Sequence, residues 1–182
     1  PNERRALGLR AAPEERLGHA AAPSMTLIEN TLMTSHSEDI VNRWGIINFD
    51  NVKEKTNNIV SEFDVRTPTL DNAAASLSGG NLQKFVIGRE ILKKPRVFVV
   101  NQPTWGVDAA AAAFIRQSIL NLASHGSAVV VISQDLDELF EICDTFAVLT
   151  NGHLSKSHNI RSLSSEDVGL LMGGSDLDIK NP

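Results

Sequence analysis

The residues best suited to bind a phosphate group form a Ser-Gly-Gly-Asn turn within residues 77–84, which read LSGGNLQK. Adjacent glycines let backbone N–H groups approach a ligand closely, and the N-terminus of the helix that follows adds partial positive charge. Apolar residues at helical spacing continue to Leu92, and Pro95 ends the pattern. The candidate phosphate-binding residues are Ser78, Gly79, Gly80 and Asn81. The alternative is that Ser78 only caps the helix and the glycines only make a turn.

Length, charge and cysteine content exclude several classes of protein. The 182 residues suit one domain, or a domain with a subdomain, and 42% of them are hydrophobic, as is usual for a globular protein. A net charge of −5 argues against binding to nucleic acid by bulk electrostatic attraction. The single cysteine, Cys143, excludes an internal disulfide. No apolar run approaches the ~20 residues that a transmembrane helix needs, and the histidines show no metal-ligand spacing.

The phosphate-binding turn lies near the end of a predominantly helical stretch, residues 23–92. The helices predicted before it lie at residues 25–32, with Thr26 near the start, and at 37–41 and 52–63. The strands predicted after Pro95 lie at residues 97–100 and 128–132, both fully buried, and at 146–149. Helices at residues 109–122 and 136–142 separate them. Strands that alternate with helices predict a parallel sheet, whereas the first twenty-odd residues show no clear period.

Local signals mark the ends of several elements. Asp108 is placed to cap the helix that follows it, and Asn151-Gly152 predicts a two-residue hairpin turn. Ser164, with Asp167 three residues later, predicts a short final helix that stops at Gly173. The predicted fold class is α/β, with a helical subdomain followed by the second half of a parallel-sheet core.

Several motifs follow one another in a fixed order along the chain. They are Pro13-Glu14-Glu15-Arg16, Met25-Thr26-Leu27-Ile28-Glu29-Asn30, the LSGGNLQK turn, Gln102-Pro103-Thr104-Trp105-Gly106-Val107-Asp108 and Ser133-Gln134-Asp135-Leu136-Asp137-Glu138. Together they resemble the C-terminal nucleotide-binding domain of a duplicated ATP-binding cassette (ABC) import ATPase for simple sugars or nucleosides. Such a domain begins with a Walker A loop, G-x-x-x-x-G-K-[ST], but no glycine in this chain is followed by lysine. The resemblance therefore implies a partial ABC ATPase fold, the back part of such a domain.

The resemblance also implies a division of the chain into four parts. Residues 1–22 would be a remnant of the ATPase core with the Q-loop region, and residues 23–92 the helical signature subdomain. Residues 93–158 would be the α/β core with the Walker B, D-loop and switch regions. Residues 159–182 would be a C-terminal helix and tail.

Individual residues take roles by the same resemblance. The signature residues Ser78 to Asn81 would face the γ-phosphate of ATP held by the opposite domain. Asp108 matches the D-loop aspartate, with a simple helix cap as the alternative. Glu14 falls at the Q-loop position, with an ordinary surface acid as the alternative. Trp105 departs from the family, which usually has a basic residue there, and a solvent-facing ring would indicate a contact surface.

Three positions depart from the family at the places where the chemistry occurs. Active ABC ATPases have an aspartate that supports Mg²⁺ and a glutamate that activates water where this chain has Asn101 and Gln102. Amides are neutral and cannot accept a proton at pH 7. The switch position, usually histidine, is Gln134, which cannot titrate either. No catalytic residue is therefore expected to be intact, and the chain's own site is interpreted as degenerate.

The resulting expectation is an ATP-binding component of an importer, peripheral on the cytoplasmic face of the inner or plasma membrane. ATP and Mg²⁺ would act in the full-length dimer and not bind tightly to this chain alone, which would be inactive. The expected partners are a second ABC nucleotide-binding domain and membrane permease subunits, and no nucleic acid. The chain alone is expected to self-associate. The alternative is a non-catalytic dimerisation module derived from an ABC domain.

Overall fold

The computed structural model describes residues 2–35 and 46–174, which form parts of two compact units, Pro1–Gln134 and Asp135–Pro182. The first unit contains helices α1 (Asn2–Ala6), α2 (Leu27–Ser35), α3 (Phe49–Glu62), α4 (Gly79–Ile91) and α5 (Ala109–Ser124), and strands β1 (Leu9–Ala12), β2 (Val97–Asn101) and β3 (Ala128–Ile132). The second contains helices α6 (Leu136–Ile142) and α7 (Ser165–Met172), and strands β4 (Thr145–Phe146), β5 (Leu149–Thr150), β6 (His153–Leu154) and β7 (His158–Asn159). The predicted helix at residues 37–41 lies outside the described residues.

A three-stranded parallel sheet forms the centre of the first unit, in the order β1-β2-β3. The register places Ala12 beside Val100 and Asn101 beside Ile132, so the carboxyl ends of the three strands lie at one edge. β1 was not predicted, because a four-residue strand containing Arg10 has too little periodicity to be recognised. Its place in the sheet is decided by its pairing with β2.

The prediction that the strands at residues 97–100 and 128–132 are fully buried is wrong. Along β2, Phe98 and Val100 are buried, while Val97, Val99 and Asn101 are half-buried. Along the edge strand β3, Val130 and Ile132 are 49% and 50% exposed. Helix α4 contacts β1 and helix α5 contacts β3, while Phe98 and Val100 lie on the buried face of β2. Within the described residues, the other face of the sheet has no comparable cover.

The helical stretch is held together by an apolar core, and its helix α2 begins with a reciprocal side-chain cap. Ile28 of α2 and Val52 of α3 pack together with Leu32 and Leu70. Thr26 and Glu29 exchange hydrogen bonds at the start of α2, because the Glu29 carboxylate accepts from the Thr26 N–H at 2.8 Å and the Thr26 hydroxyl accepts from the Glu29 N–H at 3.1 Å. This reciprocal cap confirms that the helix begins near Thr26, as the sequence predicts.

The second unit differs from the prediction at one strand. Residues 146–149 do not form a third strand of the parallel sheet, because β4 pairs antiparallel with β7 and β5 pairs antiparallel with β6. The turn at residues 151–152 joins β5 to β6 as predicted, and α7 begins with a capping box between Ser164 and Asp167. Among the helices of the described residues, none combines the length and the hydropathy that crossing a membrane requires.

Candidate phosphate-binding site

The signature turn, residues Ser78 to Asn81, opens helix α4 with a side-chain cap. Ser78 has an extended backbone, and its hydroxyl oxygen accepts hydrogen bonds from the backbone N–H of Asn81 at 3.4 Å and from the Asn81 side-chain nitrogen at 3.0 Å. The Asn81 side-chain oxygen in turn accepts from the Arg66 N–H at 2.9 Å. The structure therefore confirms that Ser78 caps helix α4. A phosphate contact by the exposed residues Ser78 and Gly79 remains a prediction.

Arg16 contacts the signature turn from a distant part of the chain. Its guanidinium donates a hydrogen bond to the carbonyl oxygen of Gly79 at 3.3 Å and a second one to the carbonyl oxygen of Trp105. Partial burial lowers the pKa of this guanidinium below its usual value, without removing its charge at neutral pH. Arg16 belongs to the motif Pro13-Glu14-Glu15-Arg16, but its residue type and spacing alone did not indicate this contact.

Asp108 lies next to the same turn. Its carboxylate caps α5 by accepting the Ala111 N–H at 2.9 Å, and that hydrogen bond holds the pKa of Asp108 below its usual range. A side chain built at Gly80 would place its Cβ 3.9 Å from the Asp108 carboxylate. The ring of Trp105, in the preceding loop, is 65% exposed. The structure thus brings the signature turn, Asp108 and the Trp105 loop together. It confirms that Asp108 caps α5, whereas the D-loop role of Asp108 remains a prediction.

The other predicted positions lie at the carboxyl edge of the sheet. Glu14 follows β1 by two residues, Gln102 comes directly after β2, and Gln134 follows β3 by two residues. Glu14 and Gln134 are exposed, whereas Gln102 is buried and has a positive φ of 50°. The Gln102 N–H donates to the carbonyl oxygen of Ile132 at 2.8 Å, which ties the end of β2 to β3.

A buried glutamine of α4, which the sequence analysis missed, supports this edge. The Gln83 side-chain nitrogen donates to the carbonyl oxygen of Pro103 at 2.7 Å and approaches that of Gln102 at 3.5 Å. The signature helix is thereby attached to the turn that follows β2. No local pattern in the sequence could have indicated this contact, since the two partners are 20 residues apart.

The residues at the end of β2 do not fit a magnesium ion. Mg²⁺ is usually bound by carboxylates and by substrate phosphates, and Asn101 and Gln102 offer neutral amides instead. In the part of the chain that the structure describes, no group of three or more His, Cys, Asp or Glu side chains is arranged to hold a metal ion.

The chain has relatives among import proteins, although no protein-family model matches it. It is 33% identical over 168 residues to the guanosine import ATP-binding protein NupO of Bacillus subtilis, a match that covers 92% of this chain and 33% of NupO. It is 34% identical over 172 residues to the glucose import ATP-binding protein TsgD13 of Haloferax volcanii, covering 93% of this chain and 31% of TsgD13. The chain thus spans about a third of the length of the curated relatives it matches.

Solved structures with the same fold are ABC ATPase domains. A dimeric post-hydrolysis state of the ATP-binding cassette MJ0796, bound to ADP and Pi, matches with a TM-score of 0.69 at 18% identity, covering 88% of this chain and 67% of that one. The ADP conformation of the cassette MJ1267 matches with a TM-score of 0.66 at 22% identity, covering 95% and 67%. The chain is a homologue of sugar and nucleoside import ATP-binding proteins, with the ABC ATPase fold.

The ABC relationship confirms the resemblance and the fold class predicted from the sequence. A helical part and a parallel sheet occur together, and the chain covers about two thirds of the solved ABC domains. The roles of individual residues and the division into four parts are not tested by this relationship, and they remain predictions.

Proposed function

We propose that this chain is part of the ATP-binding component of an ABC transporter that imports simple sugars or nucleosides. In this proposal the signature turn acts in trans, on ATP held by a second nucleotide-binding domain. The observation that carries the proposal is the capped, exposed N-terminus of α4, flanked by the Arg16 cation and by the Trp105–Asp108 loop. A helix N-terminus with free backbone N–H groups attracts phosphate oxygens.

The mechanism assigns binding and orientation to this chain. Backbone N–H groups at the start of α4 would contact the phosphate, while the Ser78 hydroxyl and the Asn81 side chain hold the turn in its capped shape. Asn101, Gln102 and Gln134 carry no group that could accept a proton from water. We therefore place no hydrolytic step at the chain's own site and assign ATP turnover to the full-length protein.

The proposal includes the partners and the location. The helical stretch, residues 23–92, would contact membrane permease subunits on the cytoplasmic face of the membrane. Relatives named as import ATP-binding proteins for guanosine and for glucose support a simple sugar or a nucleoside as the transported substrate. ATP and Mg²⁺ would bind in the full-length dimer.

The test is substitution of Ser78 by arginine in the full-length protein with its permease. Ser78→Arg places a bulky cation where the γ-phosphate is proposed to bind, so we expect ATP turnover and substrate uptake to fall to background. The matched control is Ser124→Arg, at the exposed C-terminal end of α5, about 24 Å along that helix from its N-terminus. Turnover and uptake that are unchanged by Ser78→Arg would contradict the proposal.

The second candidate is a non-catalytic dimerisation module, and the half-exposed apolar residues of β3 favour it. That function predicts that Ser78→Arg leaves turnover unchanged, whereas a charge on the exposed face of β3 prevents assembly. The two candidates therefore differ in the effect they predict for Ser78→Arg on ATP turnover.

A further inference from the structure

We propose that Arg16 is a positioning residue that holds the signature turn and the Trp105 loop in one fixed arrangement. The two hydrogen bonds of its guanidinium go to different parts of the fold, the first residue of α4 and the loop that follows β2. Neither acceptor is a ligand or a reacting group, so Arg16 acts through the backbone it holds.

Arg16 is itself fixed by a compact backbone turn over residues 15–21. The Ala20 N–H donates to the Glu15 carbonyl oxygen at 3.1 Å, and the Ala21 N–H donates to the Arg16 carbonyl oxygen at 2.7 Å. The Gly18 N–H donates to the Ala21 carbonyl oxygen at 2.8 Å. These three bonds within seven residues limit how far the base of the Arg16 side chain can move.

The same turn is attached to α4 at a second point. The Arg89 guanidinium donates to the Ala20 carbonyl oxygen at 2.8 Å, and Arg89 is buried. Gly79 and Arg89 lie ten residues apart on α4, which corresponds to about 15 Å along the helix axis. The turn at residues 15–21 is therefore tied to both the beginning and the end of the signature helix, so the turn and the helix are held together as one body.

A side chain at Gly79 would displace the end of the Arg16 side chain. A Cβ atom at Gly79 would lie 2.9 Å from the Arg16 Nη1 atom, closer than real Cβ contacts allow. At Gly80 the nearest atom to a Cβ is a carboxylate oxygen of Asp108 at 3.9 Å, which is an ordinary contact. Of the two glycines, only Gly79 is covered by Arg16, so Gly80 can serve as the control position.

The planar guanidinium is suited to bridging two carbonyl oxygens. It presents several N–H donors in a planar fork and can bond two carbonyl oxygens at once, whereas a lysine ammonium concentrates its donors at one point. If the signature turn acts on a phosphate in trans, a displacement of the turn by about 1 Å is enough to reduce turnover strongly. The effect on turnover rests on the proposed function, whereas the fixed arrangement can be measured in this chain alone.

The first test is a double-mutant cycle on this chain, read by thermal unfolding. We expect Gly79→Ala to lower Tm more than Gly80→Ala when Arg16 is present, and this difference to disappear in the Arg16→Met background. The Arg16→Met variant should also speed hydrogen exchange of the Val107 N–H, which donates to the Thr104 carbonyl oxygen at 3.4 Å across the loop that Arg16 holds, by about tenfold or more. An additive cycle together with unchanged exchange would overturn the proposal.

The second test measures ATP turnover in the full-length protein. Arg16→Met should lower kcat by about tenfold with little change in KM for ATP, because the turn is displaced while the nucleotide is held by the partner domain. Arg16→Lys should restore only a small part of kcat, since its ammonium cannot bridge both carbonyls. A normal kcat in Arg16→Met, with Ser78→Arg inactive, would overturn the positioning role. Normal turnover in both variants would overturn the proposed function. The double-mutant cycle and the hydrogen-exchange rate would then decide whether Arg16 holds the turn and the loop in place.

Discussion

The Asp108 carboxylate joins two features of the site, because it caps α5 and lies beside Gly80 of the signature turn. Its pKa is lowered mainly by the hydrogen bond from the Ala111 N–H. A carboxyl group with a depressed pKa in the folded state stabilises the fold above its unfolded pKa, and this contribution is lost as the pH falls through the folded pKa. The contribution is therefore complete at neutral pH and declines below the ordinary value of 3.8.

We expect Asp108→Asn to lower Tm at pH 7 and to have a smaller effect near pH 3. Asparagine can still cap the helix, so the loss at neutral pH reports the charge near the helix N-terminus. Thermal unfolding followed by circular dichroism at both pH values would measure it, with the wild-type chain at each pH as the reference. An equal shift in Tm at the two pH values would contradict this assignment.

At the scale of elements, α4 is held by a buried ion cluster near its C-terminal end. The Glu90 carboxylate accepts hydrogen bonds from Arg89 Nε at 2.7 Å and from Lys93 Nζ at 3.1 Å, and its side chain is only 4% exposed. Lys93 also donates to the Thr34 carbonyl oxygen at 3.0 Å, at the end of α2. One carboxylate therefore balances two cations between α2 and α4.

Replacing Glu90 by glutamine should destabilise the chain by about 3–5 kcal/mol, because two cations lose their buried counter-charge. The matched control is Asp64→Asn, which breaks the pair between the exposed Asp64 carboxylate and Lys84 at 3.1 Å. We expect a far smaller loss there, since solvent screens an exposed pair. Urea denaturation of both variants measures the two losses, and equal values would contradict the buried role of Glu90.

A second prediction at this scale concerns the packing of α3 against α4. A Cβ at Gly88 would lie 2.5 Å from the ring of Phe63, which is buried at the end of α3. Gly88→Ala should therefore lower stability by about 1–3 kcal/mol through overpacking. The control is Gly169→Ala in α7, where nothing lies within 4 Å of the added Cβ. That change should stabilise by roughly 0.5–1 kcal/mol through helix propensity, and a loss of similar size in both variants would contradict the packing argument.

At the scale of the whole molecule, the first unit has one covered and one uncovered sheet face among the described residues. On the uncovered face, the register places Val99 beside Val130 and Asn101 beside Ile132. Val130 and Ile132 belong to an edge strand, whose free backbone groups and apolar side chains favour pairing with another chain. We therefore expect the isolated chain to self-associate through this face.

Sedimentation velocity at increasing protein concentration would measure the association. Val130→Lys should shift the chain toward monomer, because a charge on the contact face must be desolvated. The control is Leu154→Lys, which changes another exposed apolar residue, on β6, and should leave the association unchanged. A monodisperse wild-type monomer of high thermal stability would contradict the expectation.

Local features of this protein were predictable from the sequence because a few neighbouring residues determine them. The cap at Ser78, the cap at Asp108 and the capping box at Ser164 each involve residues within three positions of one another. Helix α6 was predicted at the bounds the structure gives, residues 136–142. The order of the motifs likewise identified the ABC relationship, which the homologues confirm.

The arrangement around the signature turn was decided by tertiary structure alone. Arg16 is 63 residues from Gly79 and 89 residues from Trp105, and no periodicity or spacing links such distant positions. The short strand β1 is recognisable only through its pairing with β2, and the exposure of β3 follows from its place at the sheet edge. Local residue types determine where helices begin and end. Contacts between distant segments determine which backbone groups meet at the site.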